Sequence, residues 1–328
     1  MADLRTQYMG IELKNPIIVG SSGLTNSAEK VKEIEKAGAG AVVLKSLFEE
    51  QILLQTHKTV SQSESLFLYP EAEDYISNYT KENDVSNYLS LIRDCKAAVE
   101  IPVIASINCV SSSEWISFAR KIEEAGADAL ELNVFILPSD PERTASKNEK
   151  IYFDIAQAIV KEIKIPVAIK LSYYFSGLAK TMLQLSWTGI KGIVLFNRFF
   201  SPDIDIDKFE VTATNVFSSP EELAISLRWV AMLSDRLHSD IAASTGVHAG
   251  PDVVKQLLAG AKAVQIASTV YKNGNKVIGE MVSFLNSWMD KHEFKNTADF
   301  IGKMSYKQAD NPAGFERVQF MKHFAGIE

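Results

Sequence analysis

Two cysteines, Cys95 and Cys109, are all that the 328-residue chain contains. They are too few for a disulfide framework and too isolated for a structural zinc site, so a reducing cytoplasm is the expectation. No run of about 18 apolar residues is present that could cross a bilayer, and the opening MADLRTQYMG has no apolar stretch ahead of a cleavage site. Neither a membrane anchor nor export is expected. Basic charge is also short, with 34 Lys and Arg against 41 Asp and Glu, a formal net charge of −7. An acidic surface repels phosphodiester backbones and anionic lipid, so nucleic acid and membranes are not expected partners. Histidine is sparse: His57, His238, His248, His292 and His323 are scattered and only His248 falls near a strand end, so no metal site is expected.

What the chain does have is an ordinary globular composition, 46% hydrophobic and 23% charged, and a pattern that returns. Short β-branched runs appear as PIIVG from Pro16, AVVLK from Ala41, PVIAS from Pro102, DALELN from Asp128, PVAIK from Pro166, KGIVLFN from Lys191, DIAAS from Asp240 and AVQIA from Ala263. Nearly continuous apolar character over so few residues marks strands buried on both faces of a parallel sheet. The runs pair off, the second of each pair following an Ala/Gly-rich helix end such as EKAGAG or EEAGAD, about 25 residues after the first. Between them VKEIEKAG, WISFARKIEEAG, TMLQLSW and DVVKQLLAG carry apolar residues at helical spacing. Eight β–α alternations without a long linker predict an α/β fold, a closed (β/α)₈ TIM barrel forming one domain over residues 1–328, with 306–328 as a C-terminal tail. The competing doubly wound sheet calls for G-x-G-x-x-G after its first strand, whereas PIIVGSSGLTNSAEK holds only a G-x-x-G. Two stretches, 47–90 and 198–220, exceed what the scheme needs; both start at strand C-termini and read as lids or substrate walls.

Barrel enzymes build their sites at those C-termini. Here they bring Ser21, Ser22 and Gly23, Lys45 and Ser46, Ser106 and Asn108, Glu131 and Asn133, Lys170 and Ser172, Asn197, Ser244, Thr245 and Gly246, and Ser268 and Thr269 to one mouth. The segments STGVHAGPDVVKQ and ASTVYKNG after the seventh and eighth strands suit a phosphate, because small residues let backbone N–H groups approach it. A planar flavin tethered there would lie across the mouth with Lys170 beside the end of its ring that gathers negative charge on reduction. Two other readings of Lys170 stay open, a structural ion pair with a carboxylate such as Glu131 and a Schiff-base lysine.

Taken in order, these motifs resemble the dihydroorotate dehydrogenase family of FMN-dependent barrels. MGIELKNPIIVGSSG is similar to its G-x-x-x-x-N-P-x-x-x-A-S-G opening, AGAGAVVLKS to its A-G-A-x-x-x-K-S, and LELN, VAIKLS and IVLFN to its fourth to sixth strands. STGVHAGPDVVKQLLAGAKAVQIAST resembles its phosphate segment and FKNTADFIGKMS its closing element, so the likeness spans residues 9–305. The resemblance implies FMN held by Ser22, Gly23, Lys45, Ser46, Asn108, Asn133, Lys170, Gly246, Ala267 and Ser268, and a small-molecule substrate faced by Lys45, Asn133 and Asn197. It further implies a cytoplasmic oxidoreductase of pyrimidine biosynthesis, acting as a homodimer, in which a base takes the C5 proton of dihydroorotate while hydride leaves C6 for flavin N5. The family's base lies in N-x-S-C-P-N, or the same with Ser for Cys. Here the loop reads NVFILPSDPE, which sets Ile136 or Leu137 at that position and leaves Ser139 as the nearest hydroxyl, hence as candidate base alongside Lys170 in the catalytic set. SESLFLYPEAEDY lacks the Gly and amides of the family's N-S-M-G-L-P-N, and Arg198 follows Asn197 where a small hydroxyl residue belongs. The alternatives are a flavoprotein of the same family with another substrate or electron partner, and a flavin-free barrel, either a Schiff-base lyase or a phosphate-ligand binder.

Overall fold

In the computed structural model, which describes residues 2–48, 85–109, 115–198, 202–213 and 216–316, all eight apolar runs are parallel strands. They are β1 Ile17–Val19, β2 Ala41–Val43, β3 Val103–Cys109, β4 Ala129–Val134, β5 Val167–Leu171, β6 Gly192–Leu195, β7 Asp240–Ser244 and β8 Ala263–Ile266. Each pairs with its sequence neighbour, and β8 pairs with β1 through Val264 and Ile17, so the sheet closes on itself. The helices between and after them are α1 Ala28–Lys36, α2 Val85–Ala98, α3 Trp115–Glu124, α4 Ala145–Glu162, α5 Leu178–Ser186, α6 Leu223–Leu233, α7 Gly250–Ala259 and α8 Lys276–Lys291. The continuous apolar character has its physical reason here, since one face of each strand packs on the helices and the other fills the barrel.

The lower interior is lined by small residues, Ala41, Ala129, Ala168, Ala242 and Ala263. The space they leave is taken by an N-terminal hairpin, Thr6–Tyr8 paired with Ile11–Leu13, which the sequence reading did not anticipate. Met9 and Gly10 turn it with positive φ values of 57° and 80°, the left-handed geometry of a two-residue hairpin loop. Tyr8, Met9 and Leu13 are buried against the barrel interior, and the Met9 N–H donates to Asp240 Oδ2 at 2.8 Å. Gly192 makes room for the plug, because a Cβ there would stand 2.7 Å from the Tyr8 hydroxyl oxygen. The hairpin thus closes the lower end of the barrel, opposite the strand C-termini.

Past β8 the chain forms a short helix, Ser268–Asn273, then α8, then a segment laid across the ends of α6 and α7, where the Tyr306 N–H donates to Ala231 O and that of Met304 to Leu258 O. Within 198–220, the stretch read as a lid or substrate wall, the chain forms a second hairpin, Pro202–Asp205 with Glu210–Ala213. Most of 47–90, SESLFLYPEAEDY included, and the end of the tail lie outside the described residues.

Candidate active site

The two-residue period of the strands decides which side chains point inward. Two positions above Ala129 is Glu131, two above Ala168 is Lys170, and two above Ala263 is Gln265. The three side chains meet at the barrel axis. Lys170 Nζ donates to Gln265 Oε1 at 2.9 Å, the Gln265 amide donates to Glu131 Oε2, and Nζ stands 3.8 Å from Glu131 Oε1. Only 1% of Glu131 and 8% of Lys170 is exposed. Charges so far from water persist only when paired, so Lys170 is bound into the ion pair that its sequence context allowed. Among the described residues Glu131 Oε1 has no hydrogen-bond partner, and neither has the Tyr8 hydroxyl below. Burial first, and then the carboxylates of Glu131 and Asp240, push that phenol well above its usual range.

A row of serines crosses the first three strands at the same height. Ser21 and Ser46 share a hydrogen bond of 2.9 Å, Ser46 and Ser106 one of 2.8 Å, and the Tyr88 hydroxyl donates to Ser106 O while accepting from Ser106 N. Ser22 caps the 3₁₀ turn Gly23–Thr25 through the Leu24 N–H, and the Lys45 N–H donates to Thr25 O. Asn108 and Asn133 sit side by side at the tips of β3 and β4, and Asn197 Nδ2 donates to Asn133 Oδ1 at 2.9 Å.

On the far side the tips of β7 and β8 open a cleft of about 150 Å³, whose wall includes Lys170, Asn197, Gly246, Gln265, Ala267 and Ser268. Gly246 adopts φ +79°, and a Cβ on it would lie 2.1 Å from the Leu223 nitrogen, so only glycine fits. Ser268 Oγ accepts from the Ser218 N–H, the Ser218 hydroxyl meets His248 Nε2 at 3.1 Å, and Lys272 Nζ donates to Ser218 O. Burial, followed by the Lys272 charge, draws the His248 imidazole below its ordinary pKa. A second chamber of about 200 Å³ adjoins the cleft, and Asn197, Arg198, Ser244 and Thr245 line both.

Of the residues singled out from sequence, Lys170, Asn197, Gly246, Ala267 and Ser268 line the cleft, and Ser22, Gly23, Lys45, Ser46, Asn108 and Asn133 belong to neighbouring strand tips of the same mouth. Ser139 stands apart: it is exposed, its N–H donates to Leu137 O, and it lines neither cavity. The sequence reading missed Gln265, although its signal was there as the polar residue inside AVQIA, two positions before Ala267 and hence on the same face. It also missed the Arg198–Glu222 pair, 2.9 Å from Nε to Oε1, which no local pattern announces across 24 residues.

A sequence model of the family described as dihydroorotate dehydrogenase matches residues 3–289. Among curated proteins the chain is 28% identical over 316 residues to a Thermoplasma acidophilum protein named dihydroorotate dehydrogenase B (NAD(+)), catalytic subunit, covering 92% of this chain and 99% of that one. A Methanocaldococcus jannaschii protein of the same name is 28% identical over 300 residues, 86% of this chain and 93% of its own. An Aeropyrum pernix protein named putative dihydroorotate dehydrogenase A (fumarate) is 28% identical over 313 residues, covering 92% and 97%.

Proposed function

The chain belongs to the dihydroorotate dehydrogenase family, and from that premise we propose that it is an FMN-dependent oxidoreductase acting on a CH–CH bond, of dihydroorotate or a related compound. The observation that carries this reading is the cleft at the tips of β7 and β8, in which a glycine-only loop at Gly246 and the buried ammonium of Lys170 face one space. Its residues fit the group: Gly246, Ala267 and Ser268 would hold the phosphate, Lys170, Asn133 and Asn108 the ring, and Ser22, Gly23, Lys45 and Ser46 the near side. Bound there, FMN supplies the acceptor for the hydride that the substrate gives up as its C–C bond becomes double. Lys45, Asn133 and Asn197 orient the substrate, and the Asn133–Asn197 hydrogen bond fixes two of those amides relative to each other. Lys170 supplies fixed positive charge where reduction deposits negative charge, which requires no reorganisation at the moment of transfer. Ser139 lies outside both cavities, so it would take the proton at the neighbouring carbon only in an arrangement that carries its hydroxyl over the mouth. The relatives named for NAD(+) and for fumarate show that proteins similar to this one carry different acceptor names, so the acceptor here is assigned by assay.

The purified protein is expected to be yellow, with flavin absorption bands that bleach when dihydroorotate is added without oxygen. A colourless protein that takes up no added FMN defeats the flavin reading, while a flavin that stays oxidised removes dihydroorotate as the substrate. In the same titration Ser139→Ala is expected to slow bleaching by roughly 10²-fold or more; an unchanged rate assigns the proton to another group.

The second hairpin supports the homodimer. Pro202, Ile204, Val211 and Ala213 form one apolar face, opposite a face of Asp203, Asp205 and Glu210, and Ile204 and Val211 are more than half exposed. Such a patch is buried by association, and sedimentation velocity that gives a monomer at micromolar concentration rejects the dimer. Among the described residues no helix is long and apolar enough to cross a membrane, and the cytoplasm is the proposed compartment.

A further inference from the structure

Glu131 is the one member of the axial triad that faces neither cavity. Lys170 and Gln265 both form part of the cleft wall, whereas Glu131 pairs in register with Ala168, two residues below Lys170, and so lies deeper in the barrel. It is 1% exposed, and a carboxylate withdrawn that far from water is costly unless something uses its charge. The hydride and proton transfers described above do not touch it.

The chemistry of the three groups fixes how they are joined. An ammonium only donates and a carboxylate only accepts, so the Gln265 amide between them has one orientation, its oxygen toward Lys170 Nζ at 2.9 Å and its nitrogen toward Glu131 Oε2. The result is a directed chain from ammonium to amide to carboxylate. It also keeps the two charges apart, because Nζ stands 3.8 Å from Glu131 Oε1, beyond hydrogen-bond reach, and that oxygen has no partner among the described residues. A short movement would carry the ammonium down onto it. Gln265, itself 3% exposed, is the group that holds Nζ up at the cleft wall. A carboxylate this close and this buried is screened little by solvent, so its field acts on whatever Lys170 faces.

We propose that Glu131 and Gln265 are positioning residues for Lys170 and together set the reduction potential of the bound flavin: Gln265 holds the ammonium toward the cleft, and the Glu131 carboxylate offsets part of its charge. The proposal rests on the flavin reading above. An ammonium alone beside the ring favours the reduced form strongly; backed by a carboxylate it favours that form less, and electrons taken from the substrate pass on to an acceptor more readily.

Glu131→Gln keeps the shape of the side chain and removes only its charge. In the flavin-loaded variant the midpoint potential, measured by anaerobic titration against a reference dye, is expected to rise by at least about 30 mV, a tenfold shift in the two-electron equilibrium. Combining Glu131→Gln with Gln265→Glu moves the carboxylate one place along the chain while preserving the number of charges and the pattern of donors and acceptors, and should return the midpoint to the wild-type value or below. Gln265→Leu lets the ammonium fall back on Glu131, and the FMN dissociation constant, read from flavin fluorescence released on dilution, should rise at least 10-fold. An unshifted midpoint in Glu131→Gln, or one that stays raised in the double variant, leaves Glu131 a packing role and overturns the proposal with the flavin reading intact. Unweakened FMN binding by Gln265→Leu overturns the part assigned to Gln265. A wild-type protein that takes up no FMN overturns both readings together, which tells the two failures apart.

Discussion

Replacing Lys170 by Met is expected to lower stability by about 3 kcal/mol and to strip most of the flavin from the purified protein. The two effects have different origins. Stability falls because Glu131, 1% exposed, loses the ammonium 3.8 Å from its Oε1 and keeps only the Gln265 amide, leaving a buried carboxylate without its counter-charge. Flavin retention falls because the cleft loses its inward-facing ammonium. A second substitution separates them: with Glu131→Gln in the same chain the orphaned charge is gone, and most of the stability should return in urea unfolding while flavin content stays low. Normal flavin content and a normal rate of reduction in the single variant would leave Lys170 a structural role only. Recovery of flavin along with stability in the double variant would say the same.

Gly246→Ala should be as damaging through sterics. The φ of +79° already costs a non-glycine residue about 1–3 kcal/mol, and the new Cβ would meet backbone rather than a movable side chain, at 2.1 Å from Leu223 N and 2.5 Å from its Cα. Either the strand tip, which borders the cleft, or the start of α6, which borders the chamber beside it, has to shift. The expected result is a melting temperature lower by at least about 5 °C and no retained FMN, read by thermal unfolding and by absorbance of the released flavin. A variant that melts normally and stays yellow would mean that this loop neither needs glycine nor holds the phosphate.

The ion pair shows how far a one-dimensional pattern reaches. VAIKLS put Lys170 at a strand tip and DALELN put Glu131 nearby, but three readings of the lysine survived because spacing fixes direction, not distance. Gln265, 95 residues further along, touches both, and only ring closure brings β8 across from β4 and β5. The N-terminal hairpin escaped notice for a related reason: its strands are three residues each, too short for a period to show, and their place is defined by the alanines they fill. The 202–213 hairpin was hidden by its composition, since acidic residues alternate with apolar ones that face solvent.

By itself the sequence determined the barrel, the direction of the polar strand tips, the small residues around Gly246 and the apolar Ile136 and Leu137 after the fourth strand. Each of these depends on local chemistry: burial of a strand on both faces, a two-residue period, or the kind of side chain at one position. Tertiary structure alone decided that Lys170 is tied to Gln265 and Glu131, that Arg198 is paired with Glu222, that Ser139 lies exposed outside both cavities, and that a second chamber adjoins the cleft. Those facts are distances between segments far apart in the chain, and such distances are set only when the eight strands close.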